Sequence, residues 1–357
     1  MYLKKLELNN FRNYEKQNIN LLKGINLFVG DNAQGKTNII ESIYLAAFGK
    51  SYRTSKDIEV IKFNNSFSKI EVYYNKQNID KKIEVYIDNL NKKVIKQDEI
   101  KIKKLSDYIG EIPVVIFSPD SLDIVKGSPA KRRGFIDMIC SQISKSYLIC
   151  LQEYNKCLKL KNAMLKKDII DKDYILVLHE KMSEYILKIV KYRNAVIGKI
   201  LDKAKIIEYE LTDNKEKINL VYNTDFLNLD KNQIKKILDE HLYIDILRKS
   251  SIKGIQRDDL IIYINDLEVE KYGSQGQNRT ALLSLKLANF EVLKEIKEEE
   301  PVLLLDDIMS ELDENRINFL LKYIEKYQSI ITTTDSKFVK GVDNINILKV
   351  LNGRLEI

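Results

Sequence analysis

No stretch of this sequence approaches the roughly 20 apolar residues that a membrane-crossing helix needs. Its first residues, Met1-Tyr2-Leu3-Lys4-Lys5-Leu6-Glu7, alternate like a strand rather than forming the apolar centre of a signal peptide. A soluble, cytoplasmic protein is expected. Cysteine is scarce: Cys140, Cys150 and Cys157 form no CxxC pair, and their odd number argues against a disulfide framework. Reduced thiols on helices are expected instead. Histidine is scarcer, and His179 and His241 fall in separate helical segments with no second ligand type at metal-binding spacing. The apolar positions sustain no long heptad repeat, and there is no internal repeat or low-complexity tract. Tyrosine is frequent, yet no periodic aromatic platform for stacking single-stranded bases emerges.

At 357 residues the chain exceeds the size at which a single core stops growing, so two lobes or an inserted subdomain are expected. The net charge of +7, from 59 Lys and Arg against 52 Asp and Glu, points to a polyanionic partner only if the excess is clustered. The most informative stretch is Gly30-Asp31-Asn32-Ala33-Gln34-Gly35-Lys36-Thr37. It follows the alternating run Ile25, Leu27 and Val29, and opens through Asn38 into a segment of helical periodicity. A strand feeding GxxxxGK[ST] into a helix aims unpaired backbone N–H groups and the positive end of the helix dipole at an anion. Gly30 and Gly35 permit the tight backbone, Lys36 can reach terminal phosphates, and the Thr37 hydroxyl can ligate Mg2+. A nucleoside triphosphate site is the reading.

Around this loop the sequence predicts an α/β organisation. Two strands before a single helix suggest a mixed sheet. Ile70, Val72 and Tyr74, then Ile83, Val85 and Ile87, read as an antiparallel meander with Asn/Asp-rich turns. The run 113–117 reads as a buried strand. From about residue 122 helical periodicity dominates, in segments 130–166, 174–209 and 231–248, which suggests an inserted helical lobe. Strand character resumes at 260–264, a helix follows Gly273-Ser274-Gln275-Gly276-Gln277, and 302–305 reads as a central parallel strand. A helix at 314–327 and a last core strand at 329–333 close the alternation. The expected division is 1–121 and 251–357 for the two parts of the head, and 122–250 for the lobe.

The strand 302–305 ends in Asp306-Asp307. An acidic residue at such a strand end can hold Mg2+ through water, and its neighbour can orient an attacking water. Gly273-Ser274-Gln275-Gly276-Gln277 supplies a second anion-binding helix end, and one site rarely needs both from one subunit. With Ser310-Glu311-Leu312-Asp313, these segments resemble an ABC-type ATPase head: Walker A, an LSGGQ-like signature, Walker B and D-loop in order. The resemblance implies an α/β P-loop head with an antiparallel β subdomain and an inserted helical lobe. It also implies two ATP molecules sandwiched in a head-to-tail dimer, with Ser274, Gln275, Gly276 and Gln277 completing the partner's site.

Within that class the chain resembles the RecF family of bacterial recombination mediators from end to end. The resemblance rests on Asn10-Phe11-Arg12-Asn13-Tyr14, the phosphate loop through Asn38, Phe117-Ser118-Pro119, Gly127-Ser128-Pro129 with Arg132-Arg133, Gly273 through Arg279, and Leu305-Asp306-Asp307. It implies ATP with Mg2+, Arg12 near the phosphates, and Ser118 in place of a coupling glutamine. It further implies an ATP-dependent homodimer that binds duplex DNA at gaps and acts with RecR and RecO. The segment Gly254-Ile255-Gln256-Arg257-Asp258-Asp259 has Ile and Gln where that family usually has Pro and His. Thr332-Thr333-Thr334-Asp335 offers no switch histidine, so the γ-phosphate sensor is a threonine, Asp335 or absent. Asp307, rather than Glu, shortens the reach of a base by one methylene, so slow hydrolysis is expected; with the RecF resemblance the expectation is a weak, DNA-stimulated ATPase.

Lys50, Arg53, Lys126, Lys131, Arg132 and Arg133, with Lys156, Lys159, Lys161, Lys166 and Lys167 further on, could line a phosphate-tracking groove. Backbone-directed duplex binding fits this set better than base readout. The alternative of an SMC-like tethering ATPase calls for a long coiled coil or a CxxC hook, and neither is in the sequence. A membrane-transporter ATPase would call for the switch histidine and coupling glutamine.

Overall fold

The computed structural model describes residues 1–335, 337 and 345–356. It divides into two compact units, Met1–Ser121 with Asn289–Ile357, and Leu122–Ala288.

The first unit begins with β1 (Tyr2–Phe11) and β2 (Tyr14–Asn20), an antiparallel pair. Leu3, Leu6 and Leu8 are all buried although the first two are an odd number of positions, three, apart. A bulge between Leu3 and Lys5 explains this: Lys4 has no partner on the neighbouring strand, and the extra residue restores the inward phase. β3 (Ile25–Val29) leads through the phosphate loop into α1 (Lys36–Phe48). β4 (Phe67–Lys76), β5 (Ile79–Asp88), β6 (Lys93–Gln97) and β7 (Ile100–Lys101) form the expected meander, and β1 pairs with β4 to give the order β2-β1-β4-β5-β6-β7. The strands before the first helix therefore do not share one mixed sheet. β1 and β2 join the antiparallel sheet and β3 a second sheet, which β8 (Val114–Phe117) enters fully buried.

The second unit carries α2 (Asp123–Lys126), α3 (Pro129–Ile143), α4 (Lys145–Met164) and α5 (Lys172–Thr212). The long segment expected at 130–166 is broken at Ser144, whose backbone is extended and whose hydroxyl caps α4 by accepting from the Tyr147 N–H. Along the 41 residues of α5, Ile175, Leu178, Met182, Ile186, Ile189, Arg193, Val196, Ile200, Ala204 and Ile207 repeat every three or four positions as a buried stripe, with α3 and α4 among the elements packed on the helix. The lobe is not purely helical. β9 (Ile218–Asn223), which helical periodicity concealed, is followed by α6 (Lys231–Glu240) and α7 (Leu242–Arg248). β9 pairs with β10 (Asp259–Ile264), and β11 (Leu267–Glu268) completes a three-stranded antiparallel sheet. That pairing draws residues 251–288 into the lobe, including α8 (Val269–Tyr272) and the first half of α9 (Gln275–Lys297). The boundary lies at Ala288, not near residue 250.

Back in the first unit, β12 (Val302–Asp306) is buried throughout, between β8 and β13 (Ser329–Thr333), all parallel. α10 (Glu314–Ile324) connects β12 to β13. β13 was expected to be the last core strand, but β14 (Asn346–Leu351) adds in parallel to β3, and β15 (Arg354–Glu356) turns back on it. The order is β15-β14-β3-β13-β12-β8. Gln328 clips this sheet to the antiparallel one, its amide donating to and accepting from the Leu3 backbone at 2.7 Å each way. The three cysteines are free and buried on helices. Among the described residues no helix is long and apolar enough to cross a membrane.

Candidate nucleotide site

Parallel pairing brings the carboxyl ends of β3, β12 and β13 to one edge, because Val29 is in register with Thr333 and Thr332 with Asp306. The crevice at such an edge is where open α/β sheets bind ligands. Two glycines shape the loop there. A Cβ at Gly30 would lie 2.3 Å from the Val350 carbonyl of β14, and Gly35 has φ 114° with Asn13 against it. Asn13 donates to the Gln34 carbonyl at 2.9 Å and accepts from the Asn38 side chain at 2.8 Å, while the Tyr14 hydroxyl donates to the Gly35 carbonyl at 3.1 Å. From the other end of the chain, the Asn352 N–H donates to the Gln34 side chain at 2.6 Å and the Gly353 N–H to the Gln34 carbonyl at 3.0 Å. Asp31, Asn32 and Ala33 form the exposed rim.

Lys36 is buried, its ammonium donating to the carbonyls of Gly30 at 2.5 Å and Asp31 at 2.8 Å. Burial lowers its pKa, against the opposing pull of Asp307, Asp31 and Asp306. The Thr37 hydroxyl donates to Asp306 Oδ1 at 2.8 Å, joining the two motifs. Thr332 donates to the same oxygen at 2.9 Å, and the Tyr52 hydroxyl donates to Oδ2 at 2.9 Å. Asp307 sits at φ 51° with its N–H on Thr332, and its buried Oδ1 has no hydrogen-bond partner among the described residues. Burial raises its pKa, Lys36 opposes, and Asp306 adds to the rise.

An orphaned carboxylate oxygen beside a Lys-bearing phosphate loop can accept from a water held next to the phosphates. The donor set also suits Mg2+, which takes few protein ligands and completes its shell with phosphates and water. Among the described residues no cluster of three His, Cys, Asp or Glu could hold a metal by itself. Ser118 follows β8 at the same sheet end, since Phe117 pairs with Leu305, and its N–H donates to Ser121 Oγ at 2.9 Å.

In the second unit Ser274 caps α9 reciprocally. Its hydroxyl accepts from the Gln277 N–H at 3.2 Å, and its own N–H donates to the Gln277 side chain at 3.0 Å. Ser274 and Gln275 are exposed, with Gly276 and Gln277 half-buried behind them.

A family profile described as RecF/RecN/SMC N terminal domain matches residues 2–355. The DNA replication and repair protein RecF of Clostridium novyi (strain NT) is 43% identical over 357 residues, spanning 99% of each chain. This chain belongs to the RecF family. A solved structure of the recombination mediator protein RecF with ATP, in the RecFOR pathway, superposes with a TM-score of 0.92 at 37% identity, covering 99% of this chain and 97% of that one. An Smc head bound to the C-winged helix domain of ScpA matches at TM-score 0.60 and 17% identity, covering 100% and 96%. The last likeness is one of fold, and with the RecF match it identifies an ABC-type ATPase head.

Other expected RecF-family site residues are placed less simply. Arg12 grips Glu41 of α1 through Nε at 2.9 Å and Nη2 at 2.5 Å, and its Nη1 donates to the Glu59 carbonyl at 2.7 Å. Arg53, expected toward DNA, donates to Asn38 Oδ1 at 2.8 Å and to Glu41 at 3.0 Å, so it braces the phosphate-loop helix. Arg132 is a correction. It is 3% exposed and forked onto Asp259 at 2.6 and 2.9 Å, with the Gly127 carbonyl and Glu270 taking its remaining edge. Arg133 is half-buried and donates to the Asp258 carbonyl at 2.7 Å. Lys161 is fully buried on Asp245 at 2.7 Å. Lys50, Lys126 and Lys131 are exposed, the last 3.0 Å from Asp123. Gln256, standing where the family usually has His, accepts from the Tyr154 hydroxyl, while Asp258 takes Arg193 at 2.7 Å and Tyr222 at 2.5 Å. That segment organises the lobe interior.

Proposed function

We propose that this RecF-family protein is an ATP-dependent DNA-binding recombination mediator. ATP closes a head-to-tail homodimer, the dimer holds duplex DNA at gaps to promote recombinase loading with RecR and RecO, and slow hydrolysis releases it. The observation that carries the reading is the Thr37–Asp306 hydrogen bond at 2.8 Å, which sets phosphate loop and acidic strand end as one site. Lys36 would bind the terminal phosphates, and Thr37 with Asp306 would hold Mg2+. Bound there, Mg2+ would supply positive charge against the negative charge that develops in phosphoryl transfer. Asp307, with a free oxygen and a pKa raised by burial, orients the attacking water. Ser274 and Gly276 present the N-terminus of α9 to the nucleotide of the partner. The RecFOR context belongs to the 37%-identical solved RecF and supports RecR and RecO as partners here.

Lys50, Lys126, Lys131, Lys156, Lys159, Lys166 and Lys167 are the exposed remainder of the basic set proposed for DNA. Sedimentation of the full chain with ATP, Mg2+ and gapped duplex should show an ATP-dependent dimer, with DNA affinity falling steeply with salt and indifferent to sequence. An oligomeric state unaffected by ATP, or a sequence-selective isotherm, would remove this mechanism. Basal hydrolysis without DNA should be slow, since a misplacement of about 1 Å can cost on the order of a hundredfold in rate. Turnover as fast as a transporter ATPase would contradict the assigned role of Asp307.

A further inference from the structure

The turn that follows α1 doubles back onto the nucleotide site and is tied down at several points. Ser51 Oγ donates to Glu41 Oε1 at 2.5 Å and accepts from the Arg53 N–H at 2.9 Å. Arg53 reaches Asn38 and Glu41, both on α1. Between these anchors the Tyr52 ring packs edge-on to Tyr44, also on α1, with centroids 5.2 Å apart at 71°. Its hydroxyl is thereby delivered to Asp306 Oδ2 at 2.9 Å.

Asp306 is 3% exposed and cannot rely on water for orientation. Thr37 and Thr332 both donate to Oδ1, leaving Oδ2 to a single donor among the described residues, the phenol. In this contact the phenol is the donor and the carboxylate oxygen the acceptor.

We propose that Tyr52 is a positioning residue for the Walker B carboxylate: by fixing Asp306 through Oδ2 it sets the Mg2+ concentration at which the site accepts ATP. The inference rests on the nucleotide-site reading above and extends it to how the metal requirement is tuned. Two donors on Oδ1 leave the carboxylate free to swing about that oxygen. A third on Oδ2 fixes its plane and keeps its remaining lone pairs aimed at the Thr37 side, where the metal would sit. Tyr52 touches neither phosphate nor metal in this account. It acts through Asp306.

The test is Tyr52→Phe in the full chain, which keeps the ring against Tyr44 and removes only the donor. Binding of a fluorescent ATP analogue is titrated with Mg2+, and separately measured in EDTA. The Mg2+ concentration for half-maximal binding should rise about tenfold, the scale of one hydrogen bond to a charged group. Metal-free affinity should be unchanged. An unchanged or lowered Mg2+ requirement overturns the inference, as does an equal loss with and without metal, which marks a merely structural tyrosine.

A measurement that keeps the phenol in place keeps the test decisive should the variant fold poorly. With 3-fluorotyrosine at position 52, the fluorine resonance should move when Mg2+ is added to ATP-loaded protein, and stay put with ATP in EDTA. Absence of a metal-dependent shift counts against the proposal. If the wild type binds no ATP, or Lys36→Ala binds it equally well, the nucleotide-site reading falls and takes this inference with it. Normal wild-type binding with an unaltered Tyr52→Phe profile removes the inference alone.

Discussion

Lys36→Ala is expected to weaken ATP binding by about two to three orders of magnitude and to abolish ATP-dependent dimerisation. The ammonium is buried and positioned on the loop by the Gly30 and Asp31 carbonyls, so it meets an incoming triphosphate already desolvated and oriented. Truncating one partner of such a buried, hydrogen-bonded charge pair costs about 2–5 kcal/mol. Lys36→Arg should be nearly as damaging, because a planar fork cannot occupy the point between two carbonyls that an ammonium fills. Nucleotide titration and sedimentation velocity read the effect, and a melting curve without ATP separates a lost phosphate contact from a collapsed loop. A well-folded Lys36→Ala protein that still dimerises with ATP would refute the site.

Mixing two inactive variants should restore function, and this is the sharpest expectation of shared sites. Ser274→Asp keeps a good helix cap, so the hydrogen bond with the Gln277 N–H survives and the lobe stays folded. It places a carboxylate where the partner's terminal phosphate would lie, and a like-charge juxtaposition costs several kcal/mol. Alone, neither Ser274→Asp nor Lys36→Ala should dimerise with ATP, since each homodimer carries the defect at both sites. In the mixed dimer both defects fall on one composite site and the other is intact. ATP-dependent dimerisation in the mixture, absent from either component, is the expected result. Purely additive behaviour would mean that each subunit completes its own site.

How much of this was legible beforehand depends on range. The phosphate loop, the buried strand ending in Asp306-Asp307 and the capped helix after Gly273 are each written in a few consecutive residues. The periodicity, turn and capping chemistry that specify them act over one or two turns of chain. The residues that hold the site together were not legible. Asn13, Tyr14, Tyr52 and the turn at Asn352-Gly353 reach the loop or Asp306 from distant sequence positions. β9 was hidden because alternate burial of Ile218 and Leu220 in a Lys-rich setting does not separate a short strand from a helix end.

Charge was the least legible property. A basic count cannot distinguish Lys50, which is exposed, from Arg132 and Lys161, which are buried on Asp259 and Asp245. Which cation is solvated and which is internally paired depends on carboxylates far along the chain. The sequence by itself therefore determined that this protein has a P-loop, an acidic strand end and a second, serine-capped helix end after Gly273, since local backbone geometry suffices for each. Only the tertiary structure decided which strands are neighbours, where the lobe ends, and which polar side chains fix Asp306. Those choices are set by burial and pairing between segments that meet only when the chain is folded.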